Sequence, residues 1–257
     1  MDEKSLTNLT DNLLPTFKKA GDIALNYRKE GLKITNKEDN TPVTNADIEV
    51  NNILTKNIKK LTPEIPIISE ETTKNKNLKN LATFWLIDPI DGTYDYINNR
   101  DEFTLNAALI VNKKPALGII NAPAKKRLFF TLGSDSREIR DDKTFIKLNC
   151  IKKTKQNEIK AVTYSEVLKP SIAELHKKYG VTHYKKMKSS LKFCVIAAGE
   201  FDLYVSEPRA SEWDIAAGHA ILKNAGGIIT DYNGDEIIYG KKDFKNPSLI
   251  LKRGKNL

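Results

Sequence analysis

The 257-residue chain is predicted to fold as α/β, with an α+β N-terminal half, in layers of helix and sheet. Three observations carry this expectation. Two stretches near the start repeat their apolar residues at helical spacing. Short, bulky apolar runs bounded by Pro, Gly and polar clusters then follow one another as strands. In the second half such runs alternate with helical segments, the pattern of a layered domain.

Ser5 to Lys29 reads as an amphipathic helix, with Leu6, Leu9, Leu13, Phe17, Ala20, Ile23, Ala24 and Tyr27 on one face. Pro15 predicts an early kink or a later true start, and Gly31 ends the helix. A polar loop, Asn36 to Thr41, leads through Pro42 into a second helix. There Thr44 is a good N-cap, and Asp47, three residues on, completes a capping-box pattern. Val50, Ile53, Leu54, Ile58 and Leu61 supply the buried stripe. Ile65 to Ser69 is a short strand that ends in Glu70 and Glu71, and the tract from Thr72 to Asn80 reads as an exposed loop.

Phe84 to Ile87 is brief, bulky and bounded by a Pro, so it reads as a buried strand. Phe103 to Val111 and Ala116 to Asn121 form a hairpin about the turn Asn112 to Pro115. Arg127 to Leu132 is a further strand, Gly133 to Asp142 a polar segment, and Phe145 to Ile151 strand-like. A boundary near here divides an N-terminal α+β domain, 1–147, from a C-terminal α/β domain, 148–257. The second domain runs through strand Ile159 to Tyr164, a helix from Pro170 to about Tyr179, and a strand or loop near His183. Helix Leu191 to Gly199 and strand Phe201 to Val205 follow. Ser211 to Asp214 opens a helix that runs over Ile215 to Asn224, and strands Ile228 to Thr230 and Ser248 to Lys252 close the chain.

Charged residues at 29% and hydrophobic ones at 40% describe an ordinary globular protein. The net charge of +9 comes from lysines scattered through the chain. With no arginine-rich block and no interleaved aromatic platform, no nucleic-acid partner is expected. No run reaches the apolar length of a membrane span, so no stable membrane insertion is expected. The start, MDEKSLTNLTDNLL, lacks the basic and apolar regions of a secretory signal. A cytoplasmic location is therefore expected, with a peripheral place on the inner face of the cell membrane left open by the basic surface. Cys150 and Cys194 lack CxxC spacing and read as reduced thiols.

The chemistry concentrates after Ile87. Asp88 and Asp91 stand at the strand's carboxyl end, and Gly92 and Thr93 open a short helix whose first N–H groups lack partners. Two acids this close repel unless a metal or a proton lies between them. If the strand ending in Glu70 and Glu71 neighbours this one, four carboxylates gather at one edge. Asp47 has two readings, a helix cap or a side chain aimed at the acidic site, and local sequence leaves both open. Asp214, three residues after Ser211 in a second capping-box pattern, has the same two readings. Trp213 reads as core. His176, His183 and His219 are dispersed and read as surface or helix-face residues, so the set is all oxygen. Oxygen-only ligation suits a hard cation, Mg²⁺ above Mn²⁺ or Ca²⁺, and clustered acids beside a helix start suggest metal-assisted hydrolysis of a phosphate ester.

The run Asp88-Pro89-Ile90-Asp91-Gly92-Thr93 resembles the signature of the lithium-sensitive inositol monophosphatase superfamily. Pro42 to Asp47, Ile68 to Glu71 and Trp213 to Gly218 match its other motifs. Glu102 to Asn106 and Ser189 to Cys194 resemble the branch of CysQ-type 3'(2'),5'-bisphosphate nucleotidases. The resemblance runs over nearly the whole chain. It implies a layered αβαβα sandwich of the sugar-phosphatase type, with the site between the halves.

It further implies two or more Mg²⁺ ions. Glu70, Asp88 and the backbone carbonyl of Ile90 would hold one, and Asp88, Asp91 and Asp214 a second, with Glu71 in the outer shell. Gly92 and Thr93 would present backbone N–H groups to the phosphate, and Thr93, hydrogen-bonded to Asp47, would orient the attacking water. Glu70, Asp47 and Thr93 are thus the implied catalytic set. Glu70, Ile90, Asp91, Gly92, Thr93, Ser189, Ser190, Lys192 and Asp214 are the implied substrate contacts.

The implied reaction is removal of the 3'-phosphate from adenosine 3',5'-bisphosphate, giving AMP and phosphate, with inhibition by lithium and a place in sulfur metabolism. The small phosphorylated substrate is the expected partner, and a homodimer is left open. The same chemistry on inositol monophosphate or another small sugar phosphate is the alternative. A non-catalytic phosphate- or nucleic-acid-binding protein is a third reading, against which the intact acid set speaks.

Three departures bear on the substrate. The family's Ser-Arg-Ser-His run is Thr163-Tyr164-Ser165-Glu166 here, which loses two cationic groups. A Pro-Arg pair is replaced by Val205-Ser206, with Arg209 close by as a substitute, and the Gly before Ser189 is Lys188. Lys185, Lys186, Lys188 and Lys192 are candidates to restore the positive charge.

Overall fold

The computed structural model describes residues 1–37, 40–72, 81–141, 143–151, 158–255 and 257. The first helix, α1 (Glu3–Glu30), is capped by Asp2, whose carboxylate accepts from the Ser5 backbone N–H, and it stops at Gly31 with φ 116°. The late start expected at Pro15 does not occur, and one helix runs through it. Pro15 lies on the exposed face, as does Asp11, so the carbonyl that loses its partner is solvated. The buried stripe of Leu9, Leu13, Phe17, Ala20 and Ala24 continues past it unbroken.

The expected polar loop after this helix is flanked by a small hairpin, β1 (Ile34–Asn36) and β2 (Pro42–Thr44). Then come α2 (Asn45–Leu61), β3 (Ile67–Ser69), β4 (Phe84–Asp91) and the one-turn helix α3 (Thr93–Ile97). The loop expected over Thr72 to Asn80 lies outside the described residues from position 73 on. Strands β5 (Thr104–Val111), β6 (Lys114–Ala122), β7 (Arg127–Leu132), β8 (Asp135–Arg140) and β9 (Phe145–Lys147) follow. The segment that reads as merely polar is largely strand β8. Its Glu138 is buried because Arg127 and Arg140 neutralise it from one side, at 2.6 and 2.9 Å.

Strands β3 to β9 form one seven-stranded sheet in sequence order. Strand β3 is parallel to β4, and every later pair is antiparallel. Alternation along these strands feeds two cores. Trp85, Ile87, Leu105, Ala107 and Leu109 face one way with the stripes of α1 and α2. Phe84, Leu86, Ala108 and Ile110 face the other way.

The second face is covered by α5 (Leu191–Ala197) and α6 (Glu212–Asn224), which pack on each other and share that core. Beyond them lies a five-stranded sheet of β10 (Ile159–Thr163), β11 (Val181–Lys186), β12 (Leu203–Ser206), β13 (Ile228–Thr230) and β14 (Leu249–Lys252), ordered β11-β10-β12-β14-β13. Strands β11, β10 and β12 are mutually parallel. On the outer face α4 (Pro170–Lys178) closes a third small core, with Ile172 and Leu175 against Ala161, Leu203 and Val205. The layers are thus helix, sheet, helix, sheet, helix, as the resemblance implied.

The contact that seats α6 on the large sheet is close. A Cβ at Gly118 on β6 would lie 2.3 Å from the Ala217 carbonyl oxygen on α6, so only glycine fits. Gly118→Ala should destabilise the fold by about 1–3 kcal/mol, because two backbones must part to admit a methyl group. The urea midpoint of unfolding measures it, and an unchanged midpoint would contradict this packing.

Candidate active site

Five acids reach one place because four elements end there. Parallel pairing of β3 with β4 sets Ser69 opposite Ile87, and the Glu70 N–H donates to the Ile87 carbonyl at 3.1 Å. Glu70 therefore emerges beside Asp88, as the neighbouring-strand expectation requires. Strand β4 runs on to Asp91 rather than ending at Ile87, and its register with β5 shifts between Asp88 and Asp91. A bulge accommodates Pro89, which has no N–H for the ladder, and re-aims the flanking acids. Gly92, with φ 92°, then turns the chain into α3.

Both doubtful caps serve two ends. One oxygen of Asp47, Oδ2, accepts from the Thr44 N–H at 2.8 Å and from the Thr44 hydroxyl at 2.6 Å, closing the capping box of α2. Its other oxygen, Oδ1, lies 3.4 Å from the Thr93 hydroxyl, which also donates to the Ile90 carbonyl at 3.0 Å. Asp214 Oδ2 accepts from the Ser211 N–H at 2.7 Å at the start of α6, while a carboxylate oxygen of the same residue faces Glu70 and Asp88.

Carboxylate oxygens of Glu70, Asp88 and Asp214 lie within 4.8 Å of one another. At an effective dielectric of about 20, two unit charges at that separation repel by roughly 3.5 kcal/mol. Asp88 is 2% exposed, and its Oδ1 has no hydrogen-bond partner among the described residues. Burial, and then the charges of Glu70, Asp91 and Asp214, push its pKa well above the carboxylate range. Burial also raises Asp91 to about 6, against the pull of Lys192, and raises Asp214 to about 8, aided by Asp91 and Glu70. An unpartnered carboxylate oxygen amid other oxygen donors is what a hard cation takes as a ligand, so these residues fit Mg²⁺.

The flanks are neutralised by the chain itself. Lys37, beyond β1, donates to Glu70 Oε1 and Glu71 Oε1, both at 2.7 Å. Burial still brings Glu71 to about 7. On the other side Asp91 Oδ2 accepts from the Ser190 N–H, and the buried Lys192 lies close enough to lower its pKa. Lys192 is itself brought down to about 8 by burial, and its ammonium donates to the Ser189 carbonyl. Ser189 adopts a left-handed φ of 52° and lines the cleft. Ser190 is buried behind Asp91, bonded to Thr104 at 2.8 Å and Asn106 at 2.7 Å.

The sequence does not point to Lys37, and it marks Thr104 and Asn106 only as part of the motif Glu102 to Asn106, without their support of Ser190. Lys37 carries no local signal among 42 basic residues. Thr104 and Asn106 do carry one, being polar at alternate positions of an otherwise apolar buried strand. The histidines stand outside the cluster. His219 is buried against the Tyr239 hydroxyl at 3.0 Å, His176 is buried on α4, and His183 is exposed. Cys150 and Cys194 are free and buried, and Trp213 packs against Phe244. Among the described residues no helix is long and apolar enough to cross a membrane.

The sequence model of the inositol monophosphatase family matches residues 5–256. The chain belongs to the inositol monophosphatase family. Within it, the chain is 30% identical over 249 residues to the 3'(2'),5'-bisphosphate nucleotidase CysQ of Aggregatibacter actinomycetemcomitans, covering 95% of this chain and 93% of that one. It is 35% identical over 220 residues to the CysQ of Buchnera aphidicola, covering 81% and 78%. A crystal structure of CysQ from Bacteroides thetaiotaomicron, a bacterial member of the family, superposes with a TM-score of 0.75 at 28% identity, covering 96% and 97%. The family fold and the αβαβα layering therefore coincide.

The raised acids give the metal-free chain a pH signature. A carboxyl whose folded pKa exceeds its unfolded value holds more protons when folded, so its contribution to stability is lost as pH rises toward the folded pKa. Glu71, raised from 4.5 to about 7, and Asp214, raised from 3.8 to about 8, spread that loss over about pH 4 to 8, and Asp214 carries it through the upper part, from 6.5 to 8. His219, held neutral to about pH 3 by burial, acts in the opposite direction only below about 6.5. The thermal midpoint of chelator-treated protein should fall from pH 6.5 to 8, and Mg²⁺ should raise it by an amount that grows with pH. A midpoint that rises over that window without metal would contradict the assignment.

Proposed function

We propose that this chain is a Mg²⁺-dependent 3'(2'),5'-bisphosphate nucleotidase that converts adenosine 3',5'-bisphosphate to AMP and phosphate. The observation that carries the metal chemistry is the unpartnered Asp88 oxygen within 4.8 Å of Glu70 and Asp214. The substrate rests on the relatives named CysQ at 30 and 35% identity.

Glu70, Asp88 and the Ile90 carbonyl would hold one ion, and Asp88, Asp91 and Asp214 a second, with Glu71 in the outer shell. Bound there, the cations supply Lewis-acid polarisation of the phosphate and a water of lowered pKa, so no histidine base is needed. The remaining work belongs to the chain. Asp47 is fixed by its cap to Thr44 and in turn orients Thr93. With its proton directed at Asp47 or the Ile90 carbonyl, the Thr93 hydroxyl is left to accept a hydrogen bond from the attacking water. Backbone N–H groups of Gly92 and Thr93 would receive the phosphate oxygens. Ser190 locks Asp91 through its N–H, which holds that ligand's direction. Asp214 arrives from α6, so the packing of α6 on the large sheet completes the site.

The test is phosphate release from adenosine 3',5'-bisphosphate, inositol 1-phosphate and a sugar phosphate, each with and without Mg²⁺. The bisphosphate should be turned over fastest and only with the metal. Faster turnover of inositol 1-phosphate would reject the substrate, and no release from any would favour a binding protein. Asp214→Asn should lower kcat/KM by about 100-fold or more, several kcal/mol, through loss of a ligand. Asp47→Asn should lower kcat more than it lowers Mg²⁺ affinity. A change in thermal stability alone would mean that Asp47 only caps its helix.

A further inference from the structure

Repulsion in the acidic cluster acts across two halves of the chain. Glu70 and Asp88 leave neighbouring paired strands, whereas Asp214 faces them from the first turn of α6. Like charges push that turn away from β4, so it needs an anchor beyond its own cap. The segment between β13 and β14, residues 231–248, supplies one.

The strongest tie is Glu212, two residues before Asp214 and fully buried. Its Oε2 accepts from the Gly240 N–H at 2.8 Å and its Oε1 from the Lys241 N–H at 2.9 Å. The Lys241 ammonium adds an ion pair to Oε1 at 2.7 Å. Two backbone donors and one cation thus occupy both oxygens, so the buried charge has its counter-charge and its hydrogen bonds. Further along, the Asn246 N–H donates to the Ala210 carbonyl at 3.2 Å, and Lys245 pairs with Ser211 in an antiparallel bridge. Ser211 is the residue whose N–H holds Asp214 Oδ2. The Phe244 ring lies 5.8 Å from that of Trp213. Ala210, Ser211, Glu212 and Trp213 are therefore each gripped by this one segment, immediately ahead of Asp214.

The same segment is fastened to the large sheet. Gly240, with φ 80°, lies so near Leu81 that a Cβ there would stand 2.8 Å from the Leu81 carbonyl oxygen. Phe244 meets the Phe84 ring edge-on at 6.5 Å, and the Tyr239 N–H donates to the Lys113 carbonyl at 3.0 Å. Phe84 opens β4, the strand that carries Asp88 and Asp91. One strap, residues 239–246, thus joins the strand of Asp88 to the helix of Asp214.

We propose that Glu212 is a positioning residue for Asp214: its carboxylate locks this strap to the first turn of α6 and so fixes where the Asp214 oxygens stand relative to Asp88. The inference rests on the metal-dependent reading above, in which Asp214 is a ligand. With both oxygens occupied and no exposed surface, Glu212 is not itself a ligand and acts only through the turn that it holds. Tyr239 anchors the strap away from the site, its hydroxyl 3.0 Å from His219 Nδ1 about two turns further along α6.

Mn²⁺ binding to the metal-free chain, followed through the paramagnetic resonance of the free ion, tests this without reference to turnover. Asp214→Asn sets the size of the effect that loss of the ligand produces. Glu212→Gln should weaken Mn²⁺ binding about tenfold or more. In the Asp214→Asn background the same substitution should change it less than about twofold, because the two residues act as one unit. Lys241→Met keeps both backbone donors, should show the same coupling with a smaller loss, and stands in if Glu212→Gln does not fold. Tyr239→Phe should lower the thermal midpoint and leave Mn²⁺ binding unchanged. Unaltered Mn²⁺ binding in Glu212→Gln, or a loss that adds in full to that of Asp214→Asn, would overturn the brace. So would a matching loss of Mn²⁺ affinity in Tyr239→Phe, since any loosening of the strap would then suffice. Unaltered Mn²⁺ binding in Asp214→Asn would instead overturn the metal reading itself.

Discussion

Mutual repulsion among Glu70, Asp88, Asp91 and Asp214 is the constraint around which the rest of this molecule is arranged. Carboxylates within 4.8 Å in a partly dry pocket are not held there by attraction to each other. They are held by backbone: parallel pairing of β3 to β4, a bulge at Pro89, and the packing of α6 across the large sheet. Lys37 and Lys192 relieve the two flanks, and Asp88 at the centre is left with an unpartnered oxygen. The fold spends stability at this point and leaves a demand for positive charge that a bound cation would meet.

Two helix caps carry part of that load. A cap fixes one carboxylate oxygen by hydrogen bonds to the backbone and leaves the other directed outward. Asp47 works this way, with one oxygen on Thr44 and the other toward Thr93, and Asp214 is likewise held by the residue three positions earlier while it faces Glu70 and Asp88. Capping and site-building are therefore not competing explanations for these residues. The cap is what makes the second oxygen's direction reliable, and rigidly held groups are what a reaction on a phosphate ester requires.

Much of this was legible because local pattern and function coincide. An apolar run followed by Asp-Pro-Ile-Asp-Gly-Thr points to acids at a strand's carboxyl end and a turn into a helix, while the bulge at Pro89 that carries the strand on to Asp91 is visible only in the structure. Two acid-tipped strands in sequence raised the pairing of β3 with β4 as a condition, which the structure meets. What was hidden depended on distant partners. Strand β8 looks polar because Glu138 is neutralised by Arg127 and Arg140 only after folding. Helix α1 passes through Pro15 because the side it faces is solvent, which a one-dimensional pattern does not state. Lys37 reaches Glu70 and Glu71 from a separate segment, and sequence spacing does not relate them.

The most direct measurement is anomalous diffraction from crystals grown with Mn²⁺ in place of Mg²⁺. A cation held by the described acids predicts a peak bounded by Glu70, Asp88 and Asp214, with a second toward Asp91. Crystals that bind Mn²⁺ elsewhere, or that show the four carboxylates unchanged and without a peak between them at pH 8, would contradict the account.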